Sequence, residues 1–349
     1  MSYQRTKNSL LGLAAGDAIS WQAMYHRSNE LPFWTRRLRR EIDAESEDAG
    51  IIRPNLPFSL NNPADAFKFS CTDDAEWAAF TALKLIENNG VYDYQSHLKA
   101  WNELAGSEDK ITGSVAIIAA LENIRKGKVP PVTGNDNPHF FDDSAMMRAV
   151  PIGALYAGRP QKASEYTALE ASVTNAYDGV WAAQAMSAAV STACAGNEID
   201  SIISAAVAQL PENSWIRLKV TEALAIASKC DSVFQALPLL NDEIIEHSYN
   251  YGTTAVDNLA LTLSIFRLVK ATLTDGILAA ASLAKTADSV PAFVGALCGA
   301  VNDSEIPPSW TDSLTSLRGI CIPSLKGKRY LNIASELNSM VQADYQIKI

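Results

Sequence analysis

Apolar residues recur at helical spacing along nearly the whole chain, and this pattern constrains the fold more than any other feature. In residues 79–86 the apolar side chains share one helical face before Asn88-Asn89-Gly90 ends the run. Alternation of apolar and polar residues is nearly absent, and no fixed-period repeat indicates a solenoid. The sequence therefore predicts an all-α protein, a compact orthogonal bundle of many helices. Besides the helix that begins near Asp73, the predicted helices cover residues 9–18, 94–104, 113–125, 145–156, 162–174, 179–195, 200–209, 215–228, 242–249, 255–271, 276–284, 289–301 and 331–342.

The composition allows a large buried core and limits the partners. The chain has 349 residues, of which 48% are hydrophobic and 19% are charged. No linker is evident, so we expect a single domain over residues 1–349. The net charge is −10, which argues against nucleic acid or a membrane as a partner because phosphate groups require clustered Lys and Arg. The oligomeric state does not follow from the sequence.

Cysteine usage and the chain start indicate the compartment. The five cysteines are odd in number and scattered, and no C-x-x-C occurs, which argues against disulfides and a zinc site. Residues 1–5 do not begin a signal peptide, and no stretch has the length and apolar character of a membrane span. We therefore expect a cytoplasmic protein.

Two adjacent carboxylates and a hydroxyl stand at the start of the helix that begins near Asp73. Thr72, Asp73 and Asp74 offer the hard oxygen ligands that Mg²⁺ and Mn²⁺ prefer. The alternative is purely structural. Asp73 followed by Glu76 is an acidic variant of a capping box, and acids are favoured at a helix N-terminus in any case.

The stretch over residues 27–71 is less regular than the rest. Pro32, Pro54, Pro57 and Pro63 interrupt it. A segment of this length beside a candidate site could be a lid or a loop that covers the substrate. A surface excursion with short helices explains the pattern equally well.

A turn-rich loop over residues 129–144 leads into another helix. It ends in Asp142-Asp143-Ser144, and the helix that follows carries Arg148. Arg148 could pair with a substrate phosphate or form a salt bridge with a nearby aspartate. His139, just before the acidic pair, is a candidate for a residue of the cleft.

A second loop, over residues 285–291, opens the helix near residue 290. Its Asp288 could be a metal ligand or simply the N-cap of that helix, with Pro291 in the first turn. Small residues at 292, 295, 296, 299 and 300 form a stripe that allows close packing.

Four motifs in this order resemble the ADP-ribosylglycohydrolase family, also called the dinitrogenase-reductase-activating glycohydrolase and crystallin J1 family. The first, L-x-G-x-x-x-G-D, corresponds to residues 10–17, and S/T-D-D corresponds to residues 72–74. The central G-N-G-x-x-M-R-x-x-P-x-G corresponds to residues 142–153, and D-x-D-S/T corresponds to residues 286–289. Each motif is weak alone, but four in order are specific for the fold.

The resemblance implies an all-α domain that binds two Mg²⁺ ions in a central cleft and cleaves the glycosidic bond of an ADP-ribosyl substrate. That substrate would be a small molecule or protein-linked. Cleavage at a ribose passes through an oxocarbenium-like state, and metals can orient hydroxyls and activate a water. The implied catalytic residues are Asp73 and Asp74. The implied metal ligands are Thr72, Asp73, Asp74, Asp288 and Ser289, and the implied substrate-binding residues are Asp142, Asp143, Ser144, Arg148, Asn175 and Thr286.

This chain departs from the family pattern at several of these positions. Thr286 replaces the first acid of D-x-D, Met24 replaces a common Glu, and Asn175 replaces the His of a T-H pair. Loss of the acid at 286 predicts unequal metal sites, with one ion or two bound and Mn²⁺ able to substitute for Mg²⁺. Two functions follow as alternatives, namely a Mg²⁺-dependent ribosyl hydrolase and an altered, inactive member that serves as a binding or structural protein.

Overall fold

A computed structural model describes residues 4–23, 71–248, 252–283, 285–303 and 316–346, together with positions 48, 50, 306, 310, 311 and 314. These residues form fifteen α-helices and one 3-10 turn, Pro323–Leu325. Their only β-type pairings are two isolated bridges, Asp142 with Thr254 and Ser316 with Arg329. The predicted all-α fold is therefore confirmed. The helices are α1 Gln4–Ala23, α2 Asp73–Glu87, α3 Tyr94–Gly106, α4 Val115–Arg125, α5 Val132–Asn135, α6 Ser144–Leu155, α7 Pro160–Ala171, α8 Asp178–Cys194, α9 Ile199–Val207, α10 Trp215–Ala227, α11 Val233–Glu243, α12 Ala255–Leu268, α13 Leu273–Ala281, α14 Val290–Val301 and α15 Tyr330–Gln346.

One predicted helix is wrong. The helix predicted over residues 242–249 is not formed, because residues 244–248 form a turn and bends. Residues 242 and 243 instead end α11, which begins at Val233. The Ser232 hydroxyl caps α11 by accepting the backbone N–H of Gln235, and Val233 and Leu240 lie on its buried face. Pro238 lies inside this helix on its exposed face, and this proline breaks the sequence pattern without breaking the helix.

Glycines allow α1 and α14 to pack more extensively than any other pair of helices in the described chain. A Cβ on Gly12 or Gly16 would overlap the backbone carbonyl of Gly295 or Pro291, respectively. Only residues without a side chain permit this backbone approach. The contact places the C-terminal half of α1 beside the loop that precedes α14.

The core between α2 and α3 is aromatic. Trp77 and Trp101 are fully buried and stack with ring centroids 5.5 Å apart, and Phe80 meets Trp101 edge to face.

The helix α6 packs on both α2 and α8, so its N-terminus is fixed close to that of α2. None of the helices in the described ranges is long and apolar enough to cross a bilayer. Met24 and almost all of the proposed lid lie outside the described residues.

Candidate active site

The N-terminus of α2 is held by a side chain from α1. The backbone N–H groups of Thr72 and Ala75 donate to Asp17 Oδ2 at 2.6 and 3.3 Å, and the Thr72 hydroxyl donates to Asp17 Oδ1. Asp17 thus satisfies donors that a helix start leaves without partners. The capping-box alternative is not what the structure shows. Thr72 is the N-cap and makes no side-chain capping bond, while the Glu76 carboxylate binds the backbone near residue 321.

In the sequence Asp17 is only the last residue of the first motif, and no role in the site was predicted for it. Its carboxyl is fully buried. Burial raises its pKa well above the usual range, and the charge of Asp73 raises it further. The available signal was an acid directly after Gly16, on a helix whose other residues there are small or apolar.

Asp73 and Asp74 follow, and their surroundings differ. Asp73 is partly exposed, and burial together with the charge of Asp288 raises its pKa to about 6. Asp74 is buried, and neither of its carboxylate oxygens has a hydrogen-bond partner. Burial raises the pKa of Asp74 well above its usual range, and Asp73, Asp17, Asp143 and Asp288 add to the effect. Carboxylates from four parts of the chain, namely Asp17, Asp73 with Asp74, Asp143 and Asp288, therefore act on one another and form an acidic cluster.

The turn before α6 brings the second pair of acids. Asp143 Oδ2 accepts the Asn258 side-chain amide at 2.6 Å. Burial raises the pKa of Asp143 well above its usual range, the charge of Asp142 raises it further, and the nearby Ser289 hydroxyl opposes the rise. Asp142 is fully buried, and its Oδ2 has no partner. The turn before α6 and the loop before α14 therefore come together at the Asp143 carboxylate.

Ser144, Asn175 and Arg148 lie behind this turn. Ser144 and Asn175 are hydrogen-bonded to each other at 3.2 Å, and both are buried. The Arg148 guanidinium is fully buried and donates from Nε to Glu170 Oε1 at 2.6 Å. Of the two roles considered for Arg148, the structure therefore shows the salt bridge, with a glutamate rather than an aspartate as the partner.

The loop before α14 contains Thr286, Asp288 and Ser289. Thr286 is fully buried, and its hydroxyl donates to the backbone carbonyl of Leu283 at 3.5 Å. Asp288 is partly exposed, and Ser289 rather than Asp288 is the N-cap of α14. His139 stacks on Phe141, with ring centroids 5.6 Å apart.

A cavity of about 290 Å³ opens at Asp73 and Asp288. Thr72 lines the same side, and the facing wall is built from Thr112, Gly113, Ile320 and Cys321. Neither segment of this wall was predicted from the sequence, because nothing local marks it. A larger cavity, about 360 Å³, lies between α2, α3 and the 3-10 turn, and no residue of the acidic cluster lines it.

The donor chemistry of the cluster fits a hard cation. The buried oxygens of Asp74 have no partner, and the charges of Asp73, Asp17, Asp143 and Asp288 act on this carboxyl group. Within the described ranges, no three His, Cys, Asp or Glu side chains are gathered closely enough to hold a metal ion by themselves. Mg²⁺ commonly binds through one or two carboxylates and completes its shell with water, so this spacing is compatible with it.

The family matched by the chain is ADP-ribosylglycohydrolase, and the match extends over residues 2–345. The chain belongs to the ADP-ribosylglycohydrolase family. A solved structure described as "ADP-ribosylglycohydrolase-related protein complex" is similar, with a TM-score of 0.60 and 19% identity over 97% of this chain and 99% of that chain. At that identity the likeness shows the fold alone. No curated protein matches significantly.

As an ADP-ribosylglycohydrolase family member, the chain belongs to a group of hydrolases that act on ADP-ribosyl substrates and are generally metal-dependent. The four motifs of the sequence resemblance fall on α1 and on the starts of α2, α6 and α14. The N-termini of α2, α6 and α14, each with acids in or just before its first turn, therefore face the acidic cluster. The positive ends of the helix dipoles favour the negative charge gathered there.

Proposed function

We propose that the protein is a Mg²⁺-dependent hydrolase that cleaves the glycosidic bond of an ADP-ribosyl or related ribosyl substrate. Asp74 is the observation that carries the proposal. A carboxyl group with both oxygens buried and without partners, among Asp73, Asp143 and Asp288, destabilises the fold unless a cation or protons neutralise it. A buried acid that is kept despite this loss of stability in the free protein is typical of a functional site.

The residues proposed to hold the cation are Thr72, Asp73, Asp74, Asp288 and Ser289. A bound divalent ion would supply orientation of the ribose hydroxyls and polarisation of a water molecule. The chain's own residues prepare this site. Asp17 fixes the Thr72 hydroxyl, and Asn258 fixes Asp143. Mn²⁺ is the closest substitute, since it prefers the same oxygen ligands.

Asp73 is proposed as the general base, the group that accepts a proton from the attacking water. It lines the cavity, it is partly exposed, and its pKa is raised to about 6. A carboxylate oxygen of Asp73 can accept the proton of an attacking water near neutral pH. Asp74 has no access to solvent and is proposed to hold the charge that positions the site. Asp142, Asp143, Ser144, Asn175 and Thr286 are proposed on the substrate side, where Arg148 supports them from within the core.

A second candidate function is a binding or structural role without catalysis, and Thr286 favours it. The acid of the family motif is replaced by a hydroxyl that is bonded to its own backbone. We also propose that residues 1–349 form one domain, that residues 27–71 cover the cleft, and that the protein works in the cytoplasm. All five cysteines are free, which supports a reducing compartment.

Release of ADP-ribose from ADP-ribosylated protein and from small ADP-ribosyl glycosides tests the two functions. The hydrolase predicts release that depends on Mg²⁺ and is lost in Asp74→Asn. The exposed Asp109→Asn serves as the matched control and should keep wild-type rates. Binding of ADP-ribose without turnover of any substrate would favour the non-catalytic role.

A further inference from the structure

A buried ion pair lies behind the turn before α6, the acidic turn that carries Asp142 and Asp143. Arg148 and Glu170 have no exposed surface, and Glu170 Oε1 accepts Arg148 Nε at 2.6 Å with His97 Nε2 3.4 Å away. Burial alone would raise the pKa of Glu170, but the Arg148 charge and the His97 contacts outweigh it and hold the pKa below its ordinary value. A buried pair of this kind adds little net stability compared with apolar residues, and its better-attested role is to specify one arrangement.

The hydrogen bonds that leave this pair have a fixed direction. Arg148 donates from a terminal guanidinium nitrogen to Thr174 Oγ1 at 2.6 Å. A guanidinium has donors only, so the single hydroxyl proton of Thr174 is directed onward. It is donated to Asn175 Oδ1, also at 2.6 Å. This bond determines which end of the Asn175 amide is the oxygen.

The amide then holds the acidic turn. Asn175 Nδ2 donates to the backbone carbonyl of Asp142 at 2.8 Å and to its Oδ1 at 3.0 Å. Arg148 also donates to the backbone carbonyl of Ser144 at 2.7 Å. The residues on both sides of Asp143 are therefore fixed from behind, and Asp143 is left to accept the side-chain amide of Asn258.

We propose that Glu170, Arg148 and Thr174 are positioning residues. Together with Asn175 they form a one-way hydrogen-bond relay that sets the orientation of Asp143 in the acidic cluster. The relay runs from α7 and α6 through the segment after α7 to the turn before α6. Its link to cation binding depends on the proposed function, whereas its link to the Asp143–Asn258 bond does not.

Thr174→Val tests the relay because it keeps the shape and removes the hydroxyl. Thr174→Ser keeps the hydroxyl and should restore the relay. Thr192→Val is the matched control, since Thr192 is a buried threonine whose hydroxyl donates only to a backbone carbonyl, at 2.8 Å. Binding of Mg²⁺ alone is measured by calorimetry, and thermal unfolding and crystal structures are obtained for the same variants.

Loss of outer-shell support typically weakens metal binding by about 10- to 100-fold, and Thr174→Val should fall in this range while Thr174→Ser stays within about 2-fold of wild type. The control should lose thermal stability without loss of Mg²⁺ affinity. Crystals of Thr174→Val should show Asp143 turned from Asn258. Wild-type affinity and an intact Asp143–Asn258 bond in Thr174→Val, or equal losses in the Ser and Val variants, would overturn the proposal.

If the wild type binds no Mg²⁺, the proposed function fails, and the Asp143–Asn258 geometry in the variant crystals still decides the relay. If Thr174→Val does not fold, Thr174→Ala replaces it. A water in the space left by the side chain can donate or accept in either sense, so the direction is lost there too.

Discussion

The carboxylate of Glu76 accepts the backbone N–H of Cys321 at 2.7 Å, across 245 positions of sequence. The same carboxylate accepts the N–H groups of Ile320 and Ile322 at 2.9 and 3.1 Å. Glu76 lies one turn into α2, directly after the cluster acids, and residues 320 and 321 form the facing wall of the cavity. One buried side chain therefore holds the start of α2 to the wall of the cavity.

Replacement of Glu76 by Gln should loosen this wall. The amide places an NH₂ group against N–H donors, and the charged hydrogen bonds it replaces contribute about 1.5–3 kcal/mol each. We expect the free energy of unfolding to fall by about 3 kcal/mol in denaturant titrations. Glu87→Gln, on the exposed end of the same helix, is the control and should change little. Equal stability of the two variants would contradict the assignment.

Asp74→Asn should separate stability from function. Removal of a buried carboxyl without partners relieves its desolvation, so the metal-free variant should unfold at a temperature equal to or above that of the wild type. Addition of Mg²⁺ should then raise the melting temperature of the wild type and leave that of the variant unchanged. A metal-induced shift of equal size in both proteins would show that Asp74 does not contribute to the site.

The metal-free protein should lose stability as the pH rises. The pKa of Asp73 is 3.8 in its unperturbed state and about 6 in the fold. The folded state therefore binds more protons than the unfolded state between these values, and stability is highest below pH 3.8 for this group and lost as the pH passes 6. Asp17, Asp74 and Asp143 shift in the same direction. Chemical denaturation in chelator measures the profile, and Asp73→Asn should flatten it.

Gly16→Ala should disrupt the packing of α1 on α14. The new Cβ would overlap the carbonyl of Pro291, and the helices must move apart, which costs at least about 1–3 kcal/mol. Gly106→Ala is the matched control, because a Cβ at that helical glycine meets nothing. It should be neutral or stabilising by about 0.5–1 kcal/mol. Urea titration of both variants gives the comparison.

Thr286→Asp should restore a second cation site. It returns a carboxylate to the position where the family pattern has one, and a carboxylate binds a hard cation more strongly than a hydroxyl does. Mn²⁺ anomalous diffraction should then show one well-occupied ion in the wild type and two in the variant. Two fully occupied ions in the wild type would contradict the prediction.

The helices followed from sequence because their apolar periodicity is local. The α11 helix was missed because Pro238 and polar residues hide its buried face. The motifs indicated the acids at the helix starts, since acids before apolar runs are visible in the chain. The sequence did not indicate the roles of Asp17, Glu76 and Glu170. Each binds a partner far away in sequence, and only the packed fold brings that partner into reach.

The close approach of α1 to α14 also has a consequence for how the protein is made. Asp17 and the start of α2 are both synthesised early, but Pro291, which lies against Gly16, leaves the ribosome only when most of the chain has been produced. Contacts between segments so distant in sequence slow folding, and the incomplete chain exposes apolar helix faces meanwhile. Nascent chains that end before α14 should therefore bind chaperones and lack the acidic cluster, and the two halves of the site should appear together in a single late step.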